Sequence, residues 1–149
     1  MAVTIAAICV LSLLIVFVLL NRRSRARHEI EQYSITPEGL HSLFASNQDV
    51  LVFDVRLPLD LLARSEIIPG AKRLAPKEVV ENPSLIPKDK DSVIYCTCPS
   101  DKTSRMILHR ALALGFSRTK FLKGGLEAWK ASGFPVEPYR QAFHLDTGT

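Results

Sequence analysis

Two cysteines stand one residue apart in the segment Cys96-Thr97-Cys98-Pro99-Ser100-Asp101-Lys102-Thr103-Ser104. Before them runs Ser92-Val93-Ile94-Tyr95, short and mostly apolar, the pattern of a buried strand. After them, from Thr103 to Leu114, Met106, Ile107, Ala111 and Leu114 recur at helical spacing, and Gly115 is a stop signal. At such a strand–loop–helix junction, successive loop N–H groups and the free amides of the helix's first turn converge into an anion cradle. A thiol in that field ionises more readily. A persulfide carried there is held in the same way, so the junction suits sulfur transfer through a covalent Cys–S–S⁻ intermediate. The residues expected to bind an anionic sulfur donor are Thr97, Ser100, Asp101, Lys102, Thr103 and Ser104.

Neighbouring chemistries fit less well. A cysteine phosphatase of this kind needs Cys-x5-Arg, with the Arg holding phosphate oxygens bidentately. Six residues after Cys96 stands Lys102, six after Cys98 stands Ser104, and Arg105 is one place too far. Arsenate reduction needs chiefly a thiolate, and nothing marks it. Two thiolates with only scattered His41, His109 and His144 do not make a four-ligand metal site, so no metal and no cofactor is expected.

The elements that must position this segment follow from pattern. Thr36-Pro37-Glu38 supplies an N-cap, a first-turn Pro and an acid near the positive helix end, with Leu40, Leu43 and Phe44 as the apolar face. Val50 to Val55 reads as a strand, Pro58 to Ala63 as a short helix and Ile68-Pro69-Gly70-Ala71 as a turn. Arg73-Leu74 lies in a second strand before a helix around Lys77–Glu81, and residues 82–91 form an exposed loop. Lys120-Phe121-Leu122 is a last strand, followed by Gly124-Gly125 and a helix over Leu126–Ala131. This alternation predicts an α/β fold, a parallel sheet with helices on both faces. Ligands then bind beyond the carboxyl ends of the strands, where the cysteine segment lies. Asp54 and Arg56, flanking Val55 at a strand end, are expected near the site as a structural ion pair or as makers of loop-capping hydrogen bonds.

The amino-terminal run is of another kind. Residues 2–20 contain no charge, no Gly and no Pro, and as a helix would span about 28 Å, close to the apolar thickness of a bilayer. Arg22, Arg23, Arg25 and Arg27 follow at once, whereas the residues before the run carry no Lys or Arg, unlike a cleaved signal peptide. The expected organisation is a transmembrane helix over residues 1–21, a basic juxtamembrane linker over 22–34, a domain over 35–138 and a tail over 139–149. The arginine cluster predicts a single-pass protein whose domain faces the cytoplasm, with membrane lipid as a partner. Setting aside those four arginines, the 19 Lys and Arg become 15 against 15 acids, so no nucleic-acid surface is expected. The sparse cysteines, with Cys9 in the apolar run, do not make a disulfide framework.

From Ile35 to Pro138 the chain resembles the rhodanese family. The resemblance rests on Val52-Phe53-Asp54-Val55-Arg56, Ile68-Pro69-Gly70-Ala71, Val93-Ile94-Tyr95-Cys96, Leu122-Lys123-Gly124-Gly125-Leu126-Glu127-Ala128-Trp129 and Gly133-Phe134-Pro135-Val136, in family order. It implies a loop cysteine that takes sulfane sulfur from thiosulfate or a persulfide and passes it to a thiol, cyanide or a carrier protein. The alternative is a non-catalytic rhodanese-like module that binds proteins at the membrane. The sequence departs from the family pattern where Glu66-Ile67 replaces a usual His, and where the loop lacks an Arg. A third departure concerns the nucleophile. Counted from the strand, the nucleophile is Cys96; counted back from Ser104 and Gly115, it is Cys98. Pro99 has no N–H to give a loop that begins at Cys98, and sheet register is harder to shift than loop length, which favours Cys96. Cys98 then resolves or relays the persulfide, or is a small residue of the turn.

Overall fold

A computed structural model describes residues 2–97 and 102–140, with side chains described for 10–22, 24, 31–97 and 106–140. The chain divides into two units, Met1–Tyr33 and Ser34–Thr149.

The first unit is one helix, α1 (Ala2–Glu31). Every residue from Val10 to Leu20 except Ser12 is a large hydrophobic that remains exposed. Among the described residues no helix is long and apolar enough to cross a membrane. The side chains of residues 2–9, the first part of the apolar run, lie outside them. Through the stretch expected as a linker, helix continues to Glu31, leaving only Gln32 and Tyr33 before the first strand. The stretch holds good helix formers and no Gly or Pro, so a helix already nucleated upstream propagates through it.

In the second unit, among the described residues, five strands form a parallel sheet in the order β1-β6-β5-β2-β4. They are β1 (Ser34–Ile35), β2 (Val50–Asp54), β4 (Lys72–Arg73), β5 (Asp91–Tyr95) and β6 (Thr119–Leu122). β3 (Glu66–Ile67) and β7 (Glu137–Pro138) pair antiparallel as a separate ribbon. The helices are α2 (Pro37–Ala45), α3 (Pro58–Ala63), α4 (Pro76–Glu81), α5 (Lys102–Ala113) and α6 (Gly125–Ala131). Helix α2 starts as its residues dictate: the Thr36 side chain accepts a hydrogen bond from the Gly39 N–H, and Pro37 fills the first helical position.

Strand alternation divides the core in two. Val52, Val93, Tyr95 and Leu122 point to one face, where Leu40 of α2 and Leu126 and Trp129 of α6 cover them. Phe53, Ile94 and Phe121 occupy the alternate positions, also buried, and α5 packs on β5 and β6 with Ile107, Leu108 and Ala111 buried. Each fully buried side chain of this size contributes roughly 1.5–3 kcal/mol. The two layers hold the strand ends in register, with Asp54 of β2 beside Tyr95 of β5.

Candidate functional site

At the carboxyl edge, β5 ends at Tyr95 and Cys96 follows, buried to 1% exposure. Continuing the alternation one step past the strand puts Cys96 on the α5 face, the face of Ile94. Its backbone is held from the neighbouring strand end. The Leu126 N–H, in the first turn of α6, donates to the Cys96 carbonyl at 3.2 Å, while the Val55 N–H donates to the Tyr95 carbonyl at 2.9 Å. The turn that delivers Leu126 runs through Gly124 and Gly125, both with positive φ (69° and 56°). A Cβ on Gly125 would lie 1.8 Å from the Cys96 carbonyl oxygen, an approach only glycine permits.

Thr97 is half-buried beside Cys96. Lys102, Thr103 and Ser104 form the first turn of α5, so its free amides open toward the loop; their side chains lie outside the described residues. Cys98, Ser100 and Asp101 lie wholly outside them. Among the described residues no His, Cys, Asp and Glu side chains gather into a group that could hold a metal ion.

Asp54 and Arg56 are buried and paired. The Asp54 carboxylate accepts from the Arg56 Nε at 2.9 and 2.8 Å, from the Arg56 backbone N–H at 3.0 Å and from the Tyr95 hydroxyl at 3.2 Å. The rest of the Arg56 guanidinium donates to the carbonyls of Arg64 (2.8 Å) and Glu66 (2.7 Å). Both charges therefore spend their hydrogen bonds inside the protein, as buried ions must. They brace the segment from Arg56 to Glu66, which includes α3, against the strand ends.

The Tyr95 hydroxyl, unmarked in the sequence reading, completes the brace. It donates to Asp54 and accepts from the Ile68 N–H at 3.2 Å, tying β5 and β2 to the Ile68-Pro69-Gly70-Ala71 turn. Burial, then the Asp54 charge, pushes its pKa far above the usual phenol value, so it stays a donor throughout the physiological range. A signal was present: a tyrosine in an otherwise apolar strand must find a partner for its hydroxyl.

Residues 36–132 match the Rhodanese-like domain family. A sulfurtransferase from Allochromatium vinosum is 34% identical over 102 residues, covering 68% of this chain and 92% of the relative. Among solved structures, a full-length protein from Lactobacillus plantarum superposes with a TM-score of 0.67 at 21% identity, over 79% of this chain and 98% of that one. A thiosulfate sulfurtransferase from Pseudomonas aeruginosa gives 0.56 at 23% identity, over 70% of this chain and 19% of that longer one. These two structural likenesses concern the fold alone.

Proposed function

This chain belongs to the rhodanese-like family, and on that premise we propose that it is a membrane-tethered sulfurtransferase working through a persulfide on Cys96. The observation that carries the reading is the position of Cys96, directly past the carboxyl end of the central strand β5. The Cys96 thiolate attacks the outer sulfur of thiosulfate or of a persulfide donor. One S–S bond forms and one breaks; with thiosulfate, sulfite leaves and Cys96–S–S⁻ remains. An acceptor thiolate, of a small molecule or a carrier protein, then attacks the outer sulfur and returns Cys96 as thiolate. The amides of the loop and of the first turn of α5, with Lys102, neutralise the donor's charge, and the hydroxyls of Thr97, Ser100, Thr103 and Ser104 orient its oxygens. Asp101 tempers the positive field. Asp54 and Arg56 act structurally, since their hydrogen bonds are already made.

The tether is the segment 1–21, which holds the apolar part of α1. It is supported by the charge-free run and by the exposed side chains from Val10 to Leu20, which only an apolar surrounding would satisfy. Arg22, Arg23, Arg25 and Arg27 support a domain on the cytoplasmic side, against anionic headgroups.

The test is intact-mass analysis of the full chain in detergent after exposure to thiosulfate. The expected result is one added sulfur, lost in Cys96→Ser and more persistent in Cys98→Ser if Cys98 resolves the persulfide. An adduct that survives Cys96→Ser and vanishes in Cys98→Ser names Cys98 as the carrier. The absence of both adduct and thiocyanate formation overturns the enzymatic reading in favour of a binding module.

A further inference from the structure

We propose that Gly125 is a positioning residue for Cys96: having no side chain, it lets the first turn of α6 close on the Cys96 carbonyl and thereby aims the Thr97 N–H. The inference rests on Cys96 being the sulfur carrier. Three observations meet at this point. The Leu126 N–H donates to the Cys96 oxygen at 3.2 Å. A Cβ at position 125 would stand 1.8 Å from that oxygen and 3.0 Å from its carbon, and both are backbone atoms that no rotamer change moves aside. One residue earlier, the Tyr95 carbonyl is held in the opposite direction by the Val55 N–H at 2.9 Å.

The consequence is stereochemical. In a planar trans peptide the carbonyl and the following N–H point in opposite directions. With the Cys96 carbonyl fixed toward α6, the Thr97 N–H of the same peptide is turned to the β2 side of the strand, next to the residue that carries the sulfur. Moving the carbonyl rotates that donor. Since a misplacement of 1 Å can cost a rate on the order of 100-fold, a methyl group at position 125 should act on the chemistry through geometry alone.

Gly124 provides a matched control. Its φ of +69° is also left-handed, but its Cβ would meet the Ala128 Cβ at 2.6 Å rather than Cys96. Both alanine variants carry the left-handed strain, and one of them touches Cys96.

The experiment uses the full chain in detergent and reads persulfide formation at saturating and limiting thiosulfate, at a temperature where circular dichroism shows each variant folded. Gly125→Ala should lower the saturated rate about 100-fold, and clearly more than Gly124→Ala, whose clash falls on Ala128 and not on Cys96. Equal rates in the two variants overturn the proposal, since strain alone would then account for any loss. Should Gly125→Ala not fold, hydrogen exchange of the wild type decides: the Leu126 amide should exchange as slowly as the β5 amides, and exchange at the rate of an open loop overturns the proposal. Cys96→Ser separates the two failures. Sulfur uptake in that variant removes Cys96 as carrier, and the positioning role with it. Loss of uptake there, beside an unimpaired Gly125→Ala, removes only the positioning role.

Discussion

Arg56 and Tyr95 make different demands on the carboxylate they share. Arg56→Met leaves Asp54 buried without its counter-ion and should cost about 3–5 kcal/mol in urea unfolding, because an uncompensated buried charge is the expensive product. Tyr95→Phe removes one neutral donor and leaves the Ile68 N–H without its acceptor, a loss of about 1–3 kcal/mol. If the two variants are equally stable, the carboxylate is better hydrated than its geometry implies. Asp54 and Arg56 were legible as a pair because their spacing at a strand end left them little else to do. Gly125, one of two adjacent glycines between a strand and a helix, suits backbone geometry and a close helix–sheet approach but names no partner. Its partner, the Cys96 carbonyl, lies 29 positions away in sequence, and a contact of that kind has no local pattern.

The longer elements followed their local signals. The strand over 50–54, the helix over Pro58–Ala63 and the N-cap at Thr36 are set by residues within a few positions of themselves. β1, β3 and β7 have two residues each, too few for any periodicity, and exist because a partner offers a ladder: Ser34 and Ile35 line up with Phe121 and Leu122. Pairing of this sort is decided across the fold. At the opposite end of the sheet, the Arg118 guanidinium grips Asp91 at 2.9 and 3.0 Å, and the Arg118 carbonyl accepts from the Ser92 N–H, joining the starts of β5 and β6. The hydrogen bond from Arg118 holds the Asp91 carboxyl below its ordinary value of 3.8. A depressed carboxyl stabilises the fold fully above its unfolded value, and that contribution is lost as pH falls through the folded one. Asp91→Asn should therefore lower the urea midpoint slightly at neutral pH, with the gap to wild type closing below pH 3.8 and shrinking in high salt. A gap that persists in acid would assign the effect to packing.

At the scale of the molecule, the proposed tether has its own test. The full chain should float with membranes through alkaline carbonate extraction, and a chain lacking residues 1–21 should stay in the supernatant; release of the full chain by carbonate would reduce α1 to a surface helix. The apolar run was plain from composition, while the helical continuation to Glu31 was hidden by its polarity, which reads equally as linker. A tethered domain diffuses in two dimensions and meets copies of itself far more often than a dissolved one. The sheet is built for such crowding. Its two edges, β1 and β4, are each two residues long, so neither offers more than a stub of unpaired ladder to a neighbour. If the proposed tether holds, dense packing on a surface need not seed strand-to-strand aggregation through these short edges.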